Sequence, residues 1–350
     1  MEQEELDLGA FPIDSLMIRT EARSVFEVCR RIDSGQYVMD PDFQRGFVWD
    51  IQRQSRLIES AVLRVPMPVF YLAEAKTGKV VVVDGLQRLT TFHRYLRNKF
   101  SLRGLEFAKD LNGARFRDMS AILQNRIEDM PLTLYLIDSG VPEEAKYEIF
   151  ERVNGGVPLT RQQMRNCLFV GEATRWLGRM AENADFLAAT GNSLNWRTMR
   201  DRECVNRFAG FYRLGVGRYQ GKMERFLNDT LREMNETLRP EDYNELSGVF
   251  GRSMRNNLAL FGAHAFRKSI AGPEQARSVI NVALFDVFSV IFAGTDEAIV
   301  KQRKDDIEKA SRTLLTNPEF VDAISRSTNS SRNVLLRFSL SREGLQPLLL

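Results

Sequence analysis

The rhythm of apolar and polar positions changes about halfway along the chain. Over the first 155 residues it moves between strand-like and helix-like periods. SLMIRTE (15–21) reads as an edge strand. RSVFEVCRRIDSGQ (23–36) spaces Val25, Phe26, Val28, Cys29 and Ile32 as a helix does, with Gly35 as its stop. YVMDPDFQRGFVWD (37–50), punctuated by Pro41 and Gly46, is extended and turn-rich. IQRQSRLIESAVLR (51–64) is an amphipathic helix ended by Pro66 and Pro68. VFYLAEA (69–75) and KVVVVD (79–84) are strands joined around Thr77-Gly78, and a helix begins near Leu86 and runs through LTTFHRYLRNKF (89–100). MPLTLYLID (130–138) alternates as a strand, and PEEAKYEIFERVN (142–154) is a helix with Pro at its start.

Beyond about residue 160 the three- and four-residue spacing takes over, as in RQQMRNCLFVGEATRWLGRMA and CVNRFAGFYRLG, and strand signals nearly vanish until the tail. In the second of these, Val205, Phe208, Ala209 and Tyr212 share one face. The expected class is α+β, with an α/β domain over 15–158 and an α-helical domain over 159–345.

Length and composition agree with this reading. The chain has 350 residues, room for about two domains. Its 43% hydrophobic and 27% charged content is that of an ordinary globular protein. A net charge of +3 permits nucleic-acid contact without arguing for it. Only ten of the 49 basic residues are Lys, and Arg is the better fork for carboxylates and phosphates. Cys29, Cys167 and Cys204 are scattered, which argues against a disulfide framework or a zinc site and for a reducing cytoplasm. The start, MEQEELDLGA, has no apolar core of a signal peptide. VINVALFDVFSVIFAG (279–294) is interrupted by Asn281, Asp286 and Ser289 and falls short of the roughly 20 residues of a membrane span. It reads as a core helix, and no membrane partner is expected.

The candidate chemistry sits in KVVVVDGLQRLTTF (79–92). A buried-looking strand ends at Asp84-Gly85 and a helix follows. A helix N-terminus presents unpaired N–H groups and partial positive charge, so it can hold an anion. Gly85 would let a ligand approach the backbone, Arg88 would add a bidentate donor, and Thr90 and Thr91 would add hydroxyls. Asp84 could hold a metal-bound water or fix an Arg. The plain structural alternative is an Asp N-cap with Arg88 in solvent. Two further polar clusters join the list: Gln44-Arg45, flanked by Phe43, Phe47 and Trp49, and the turn Asn154-Gly155-Gly156, followed by Thr160 as a helix N-cap.

Taken together, PDFQRGFVWD, RLIESAVLRVPMPVFYL, VVVDGLQRLTTF and FERVNGGVPLTRQQMRN resemble, in order and spacing, the ParB/sulfiredoxin-like N-terminal domain of GmrSD-type modification-dependent restriction systems. MRDRECVNRF (199–208) and LFGAHAFRK (260–268) resemble the helical half of the same family. The resemblance implies a ParB-like α/β fold with a helical extension, and nucleotide binding and hydrolysis tied to defence against foreign DNA. At the cluster around Asp84, Mg²⁺ is expected with an NTP as substrate or ligand, and Asp84 and Arg88 are the candidate catalytic residues. The resemblance matches Gln44 and Arg45 to the family's Q-R pair and Asn154 to its N-x-G-G turn; with Gly85 and Gln87 of the motif, and with Thr90 and Thr91 from the reading of the residues themselves, these are the expected nucleotide or phosphate contacts. The family motif D-G-Q-Q-R is matched by Asp84, Gly85, Leu86, Gln87 and Arg88, and Leu86 departs from it, which bears on turnover more than on binding.

No Cys lies near residues 84–88, so the cysteine chemistry of sulfiredoxin is excluded. His93 and His264, the only two histidines, sit in separate predicted helices and do not make a His-metal nuclease; both are expected to be surface or packing residues. Any DNA cutting would fall to a separate nuclease or effector protein. Two other readings stay open: a DNA-binding or nicking module, and a non-catalytic scaffold that a nucleotide stabilises.

Overall fold

A mixed five-stranded sheet organises the first 159 residues. The computed structural model describes residues 18–39, 49–75, 78–142, 145–146, 149–150, 152, 160–272, 274 and 276–349. Two compact units divide the chain, residues 1–159 and 160–350. The strands are β1 (Ile18–Ser24), β2 (Tyr37–Val38), β3 (Phe70–Glu74), β4 (Val80–Asp84) and β5 (Pro131–Ile137). They lie in the order β1-β5-β3-β4-β2. β1 pairs antiparallel with β5 from Ile18↔Ile137 to Ser24↔Pro131, and β5 runs parallel to β3. β3 and β4 form an antiparallel hairpin, and β2 pairs parallel with β4.

Four α-helices pack with the sheet among the described residues of this unit: α1 (Val25–Asp33), α2 (Ile51–Val62), α3 (Leu86–Leu96) and α4 (Ala121–Glu128). Ser24 caps α1 by accepting from Glu27 N, and Asp50 caps α2 by accepting from Arg53 N at 2.7 Å. The core joins Val80 and Val82 of β4, Phe70 and Leu72 of β3 and Leu132, Leu134 and Leu136 of β5 to Val28, Ile58, Leu89, Phe92 and Ile127 of the helices. Val81 and Val83 are buried as well. A strand covered on both faces reads as an unbroken apolar run, which is why the four valines show no alternation.

Glu59 of α2 is 5% exposed and accepts from Phe107 N at 2.7 Å and Ala108 N at 2.8 Å, fastening the loop that follows α3. Burial alone would raise its carboxyl. The backbone donors of Ala108 and Phe107 outweigh that and hold it below the usual carboxylate range.

Within the segment predicted as a helix over 142–154, residues 145, 146, 149, 150 and 152 are helical, and the others beyond Pro142 lie outside the described residues. So do Phe43, Gln44, Arg45 and Phe47. Trp49 packs partly buried against the core, with the Arg53 guanidinium 4.9 Å from its ring centre.

In the second unit the described regular structure is helical. Its helices are α5 (Arg161–Leu168), α6 (Glu172–Ala181), α7 (Ala184–Thr190), α8 (Arg200–Arg213), α9 (Met223–Thr237), α10 (Pro240–Phe261), α11 (Val282–Ile291), α12 (Glu297–Gln302), α13 (Lys304–Thr316), α14 (Pro318–Ala323) and α15 (Ser331–Leu345). The mixed first unit and helical second unit make the chain α+β. Thr160 caps α5 in a capping box with Gln163, as its position before the apolar spacing predicts. The tail is helix α15, where the sequence suggested a return of strand signals. On α8, Val205, Phe208 and Ala209 are fully buried, but Tyr212 is 40% exposed and stacks its ring on Phe208 at 5.5 Å.

The apolar helix α11 is a core helix, and Asp286 on it is fully buried. It accepts from Arg207 Nε at 2.8 Å, Arg207 Nη2 at 2.6 Å and Arg337 Nη2 at 2.7 Å. Three elements, α8, α11 and α15, thus meet on one carboxylate. Arg207 is held more firmly protonated than an ordinary guanidinium: burial opposes its charge, and Asp286 outweighs the burial. No described helix is long and apolar enough to cross a membrane.

Candidate functional site

β4 leads straight into the candidate site. The β3–β4 pairing steps from Leu72↔Val82 to Tyr71↔Asp84, so Val83 is an extra residue on β4. Such a bulge bends a strand and re-aims the next side chain. It turns Asp84 out of the valine run: its side chain is 36% exposed. Gly85 follows at φ 90°, ψ 8°, in the left-handed region. There it is the N-cap of α3 and offers no side-chain cap bond, so the alternative of an Asp84 N-cap is not what the chain adopts. The first backbone bond of α3 runs from Leu89 N to Gly85 O at 2.9 Å. The N–H groups of Leu86, Gln87 and Arg88 therefore precede the helical ladder, as the first donors of any helix do.

Arg88 is not in solvent either; its side chain is 13% exposed. Nη1 donates to Pro68 O at 2.5 Å, and Nη2 donates to Val69 O at 3.1 Å and Asp84 Oδ2 at 2.9 Å. The guanidinium carbon lies 4.3 Å from the Phe70 ring centre. Burial pulls this guanidinium below its ordinary value, and the Asp84 charge opposes the shift. Three bonds of a five-donor group are thus spent inside the protein. Arg88 ties the start of α3 to the chain entering β3.

Gly85 has a second reason to be glycine. A Cβ built there would sit 2.2 Å from Phe70 Cδ1. The close approach that the sequence reading assigned to a ligand is made by the Phe70 ring. Leu86, the first residue of α3, packs partly buried against the core.

The two threonines are buried. Thr91 is fully buried and its hydroxyl donates to Gln87 O at 2.7 Å; Thr90 is 8% exposed. Gln87 is half-buried on the first turn. The structure therefore brings Asp84, Gly85, Gln87 and Arg88 together at one junction and leaves Thr91 in the core. Gln44, Arg45 and Asn154 lie outside the described residues. His93 and His264 are engaged in packing networks. His93 Nε2 meets Asp33 Oδ1 at 2.8 Å, and burial lowers its imidazole; His264 Nδ1 meets Ser269 Oγ at 2.9 Å. Among the described residues no cluster of three His, Cys, Asp or Glu side chains could hold a metal ion.

Sequence reasoning missed Phe70 and the carbonyls of Pro68 and Val69. Their signal was faint: only the run of prolines before a strand, which marks extended chain with carbonyls free to accept. It also missed Arg165 of α5, which is 1% exposed and donates through Nη1 to Gln162 Oε1 at 2.8 Å, through Nε to Asn228 Oδ1 at 3.2 Å and through Nη2 to Glu224. Arg165 pins α5 to α9, so the TRQQMRN stretch is built for packing as well as for any site.

Residues 25–170 match the family described as GmrSD restriction endonuclease, N-terminal domain. No curated protein and no solved structure matches the chain.

Proposed function

We propose, on the premise that residues 25–170 form a GmrSD-type N-terminal domain, that this chain is the nucleotide-binding, NTP-hydrolysing sensor of a restriction system acting against foreign DNA in the cytoplasm. The observation that carries the reading is the junction at Gly85. A bulged strand delivers a carboxylate, a left-handed glycine opens an uncapped helix, and an immobilised guanidinium lies one turn in. Polyphosphate would sit on the first N–H groups of α3, where the helix dipole favours negative charge. Arg88 would contribute a fixed positive field more than new hydrogen bonds.

Mg²⁺ usually binds through one or two carboxylates plus phosphate oxygens. Asp84 suits that arrangement: it is partly exposed, and only its Oδ2 is bonded to Arg88. Catalysis would then rest on positioning and charge neutralisation, as is general for phosphoryl transfer. DNA cutting is assigned to a separate nuclease or effector protein, since both histidines of the chain are held in packing networks.

A second reading has one observation in its favour. The commitment of Arg88 to Pro68 and Val69 suits a scaffold that a nucleotide stabilises without turnover. Both readings require binding. With Mg²⁺ and one of the four NTPs at about 100 times its Kd, the first unit gains about 2.7 kcal/mol. That amounts to a rise of roughly 5–10 °C in its melting temperature. No rise with any NTP at millimolar concentration would sink both.

A further inference from the structure

A cavity of about 430 Å³ opens at the C-terminal end of α3, where α1, the turn Phe116–Asp118 and α4 meet it. It lies at the other end of the helix from Gly85, roughly 16 Å away at 1.5 Å of rise per residue. It is therefore separate from the strand–glycine–helix junction, and nothing proposed for that junction uses it.

Its walls combine two aromatic rings with three guanidiniums and one uncommitted carboxylate: Phe26, Phe116, Arg30, Arg97, Arg117 and Glu128. Phe26 leaves 53% of its surface in solvent, although it stands on a helix whose neighbours Val25 and Val28 are core residues. Arg97 is closed on Asp33, which also meets His93. The other two guanidiniums are open. Among the described residues Arg30 makes no ion pair, and the guanidinium of Arg117 reaches only the exposed Asp118 at 3.6 Å. Glu128 is half-buried and makes no ion pair or hydrogen bond with the described residues.

The wall is held in place. Asn98, at φ 56°, accepts on Oδ1 from Arg117 N at 2.9 Å, and Gln124 Nε2 donates to Met119 O at 2.9 Å. Cys29 also lines the cavity. Burial pushes its thiol up to about 12, so it stays neutral and offers no nucleophile.

The exposed ring of Phe26, the half-buried ring of Phe116, packed on the core against Tyr95, and the open guanidiniums beside them make a surface that suits a base and its phosphate. An ionised carboxylate only accepts hydrogen bonds, so Glu128 asks for a donor such as the exocyclic amine of adenine or cytosine. The volume falls within the usual range of small-ligand sites. We propose that this cavity is a second binding site, for a nucleoside monophosphate unit with an amino-bearing base. Phe26 and Phe116 flank the base, Glu128 takes its amine, and Arg30 and Arg117 hold the phosphate. The unit comes either from a free nucleotide or from the end of a single strand.

The test is calorimetric titration of the full chain with AMP, CMP, UMP, inorganic phosphate and a 5′-phosphorylated deoxyadenosine trinucleotide. AMP and CMP bind saturably, and UMP and phosphate bind at least tenfold more weakly. The exposed double variant Arg30→Ala/Arg117→Ala keeps its far-UV circular dichroism and loses at least tenfold in AMP affinity. Glu128→Gln erases the preference for AMP over UMP. Trinucleotide binding that exceeds AMP binding and shares this arginine dependence identifies a strand end as the source; the reverse order identifies a free nucleotide. AMP affinity unchanged in the double variant, or UMP bound as tightly as AMP, overturns the proposal.

Discussion

Asp286→Ala is expected to cost the helical unit about 3–5 kcal/mol, the penalty for leaving buried charge without its partner. Two guanidiniums, those of Arg207 and Arg337, would remain in the core around an empty volume. Arg337 Nε already has no hydrogen-bond partner, and the one other carboxylate within ion-pair distance of Arg207 among the described residues is Glu203 at 3.7 Å. Against a usual domain stability of about 5–15 kcal/mol, the loss is large enough to leave a substantial unfolded fraction. Asp286→Leu combined with Arg207→Met and Arg337→Met should recover much of the loss, because well-packed apolar side chains often replace a buried ion cluster without penalty. Recovery should be partial, since Arg207 also reaches Asn329 and Arg337 also donates to Thr328 O. Urea unfolding followed by circular dichroism measures both. A cost below about 1 kcal/mol for Asp286→Ala would mean that water reaches the cluster and that it does not join α8, α11 and α15.

Gly85→Ala is expected to destabilise the first unit by about 3 kcal/mol, from two sources that add. An L-residue at φ 90° is strained by roughly 1–2 kcal/mol. The new methyl, placed 2.2 Å from Phe70 Cδ1, forces the ring or the backbone to move at about 1–3 kcal/mol more. Phe70→Leu in the Gly85→Ala background should return part of the steric share and none of the strain. The same substitution shifts the start of α3, so it should also abolish any NTP-dependent rise in melting temperature. If urea midpoints move by less than the equivalent of about 0.5 kcal/mol, Phe70 is free to swing aside. The close packing argued for Gly85 would then be wrong.

These two residues also show where the sequence was legible. The four valines, Asp84-Gly85 and the apolar spacing of 89–96 carry a local message, and strand, turn and helix appear where that message places them. The helical second half follows from periodicity in the same way. The purpose of Gly85 could not be read, because Phe70 is a neighbour in space and fifteen positions away in sequence. Arg88 carries the same lesson: its type suggested phosphate, but its partners are carbonyls at positions 68 and 69. Asp286 looked like an interruption of an apolar run and is the meeting point of two arginines from distant helices. Tail helix α15 was obscured because Leu335 is 47% exposed while Arg337 is fully buried, which inverts the usual polarity of a helix face. Each of these depends on tertiary contacts that a local window does not contain.

The central claim, that the junction at Gly85 binds and hydrolyses an NTP, is tested most directly by phosphate release from each of the four NTPs, with Mg²⁺ and with EDTA. The chain and its Asp84→Asn variant, which keeps the shape and an acceptor for Arg88 Nη2, are compared. The account predicts Mg²⁺-dependent release from at least one NTP by the unaltered chain. It predicts that Asp84→Asn loses release at least tenfold while the NTP-dependent rise in melting temperature persists. Release that is absent with every NTP, or undiminished in Asp84→Asn, would contradict it.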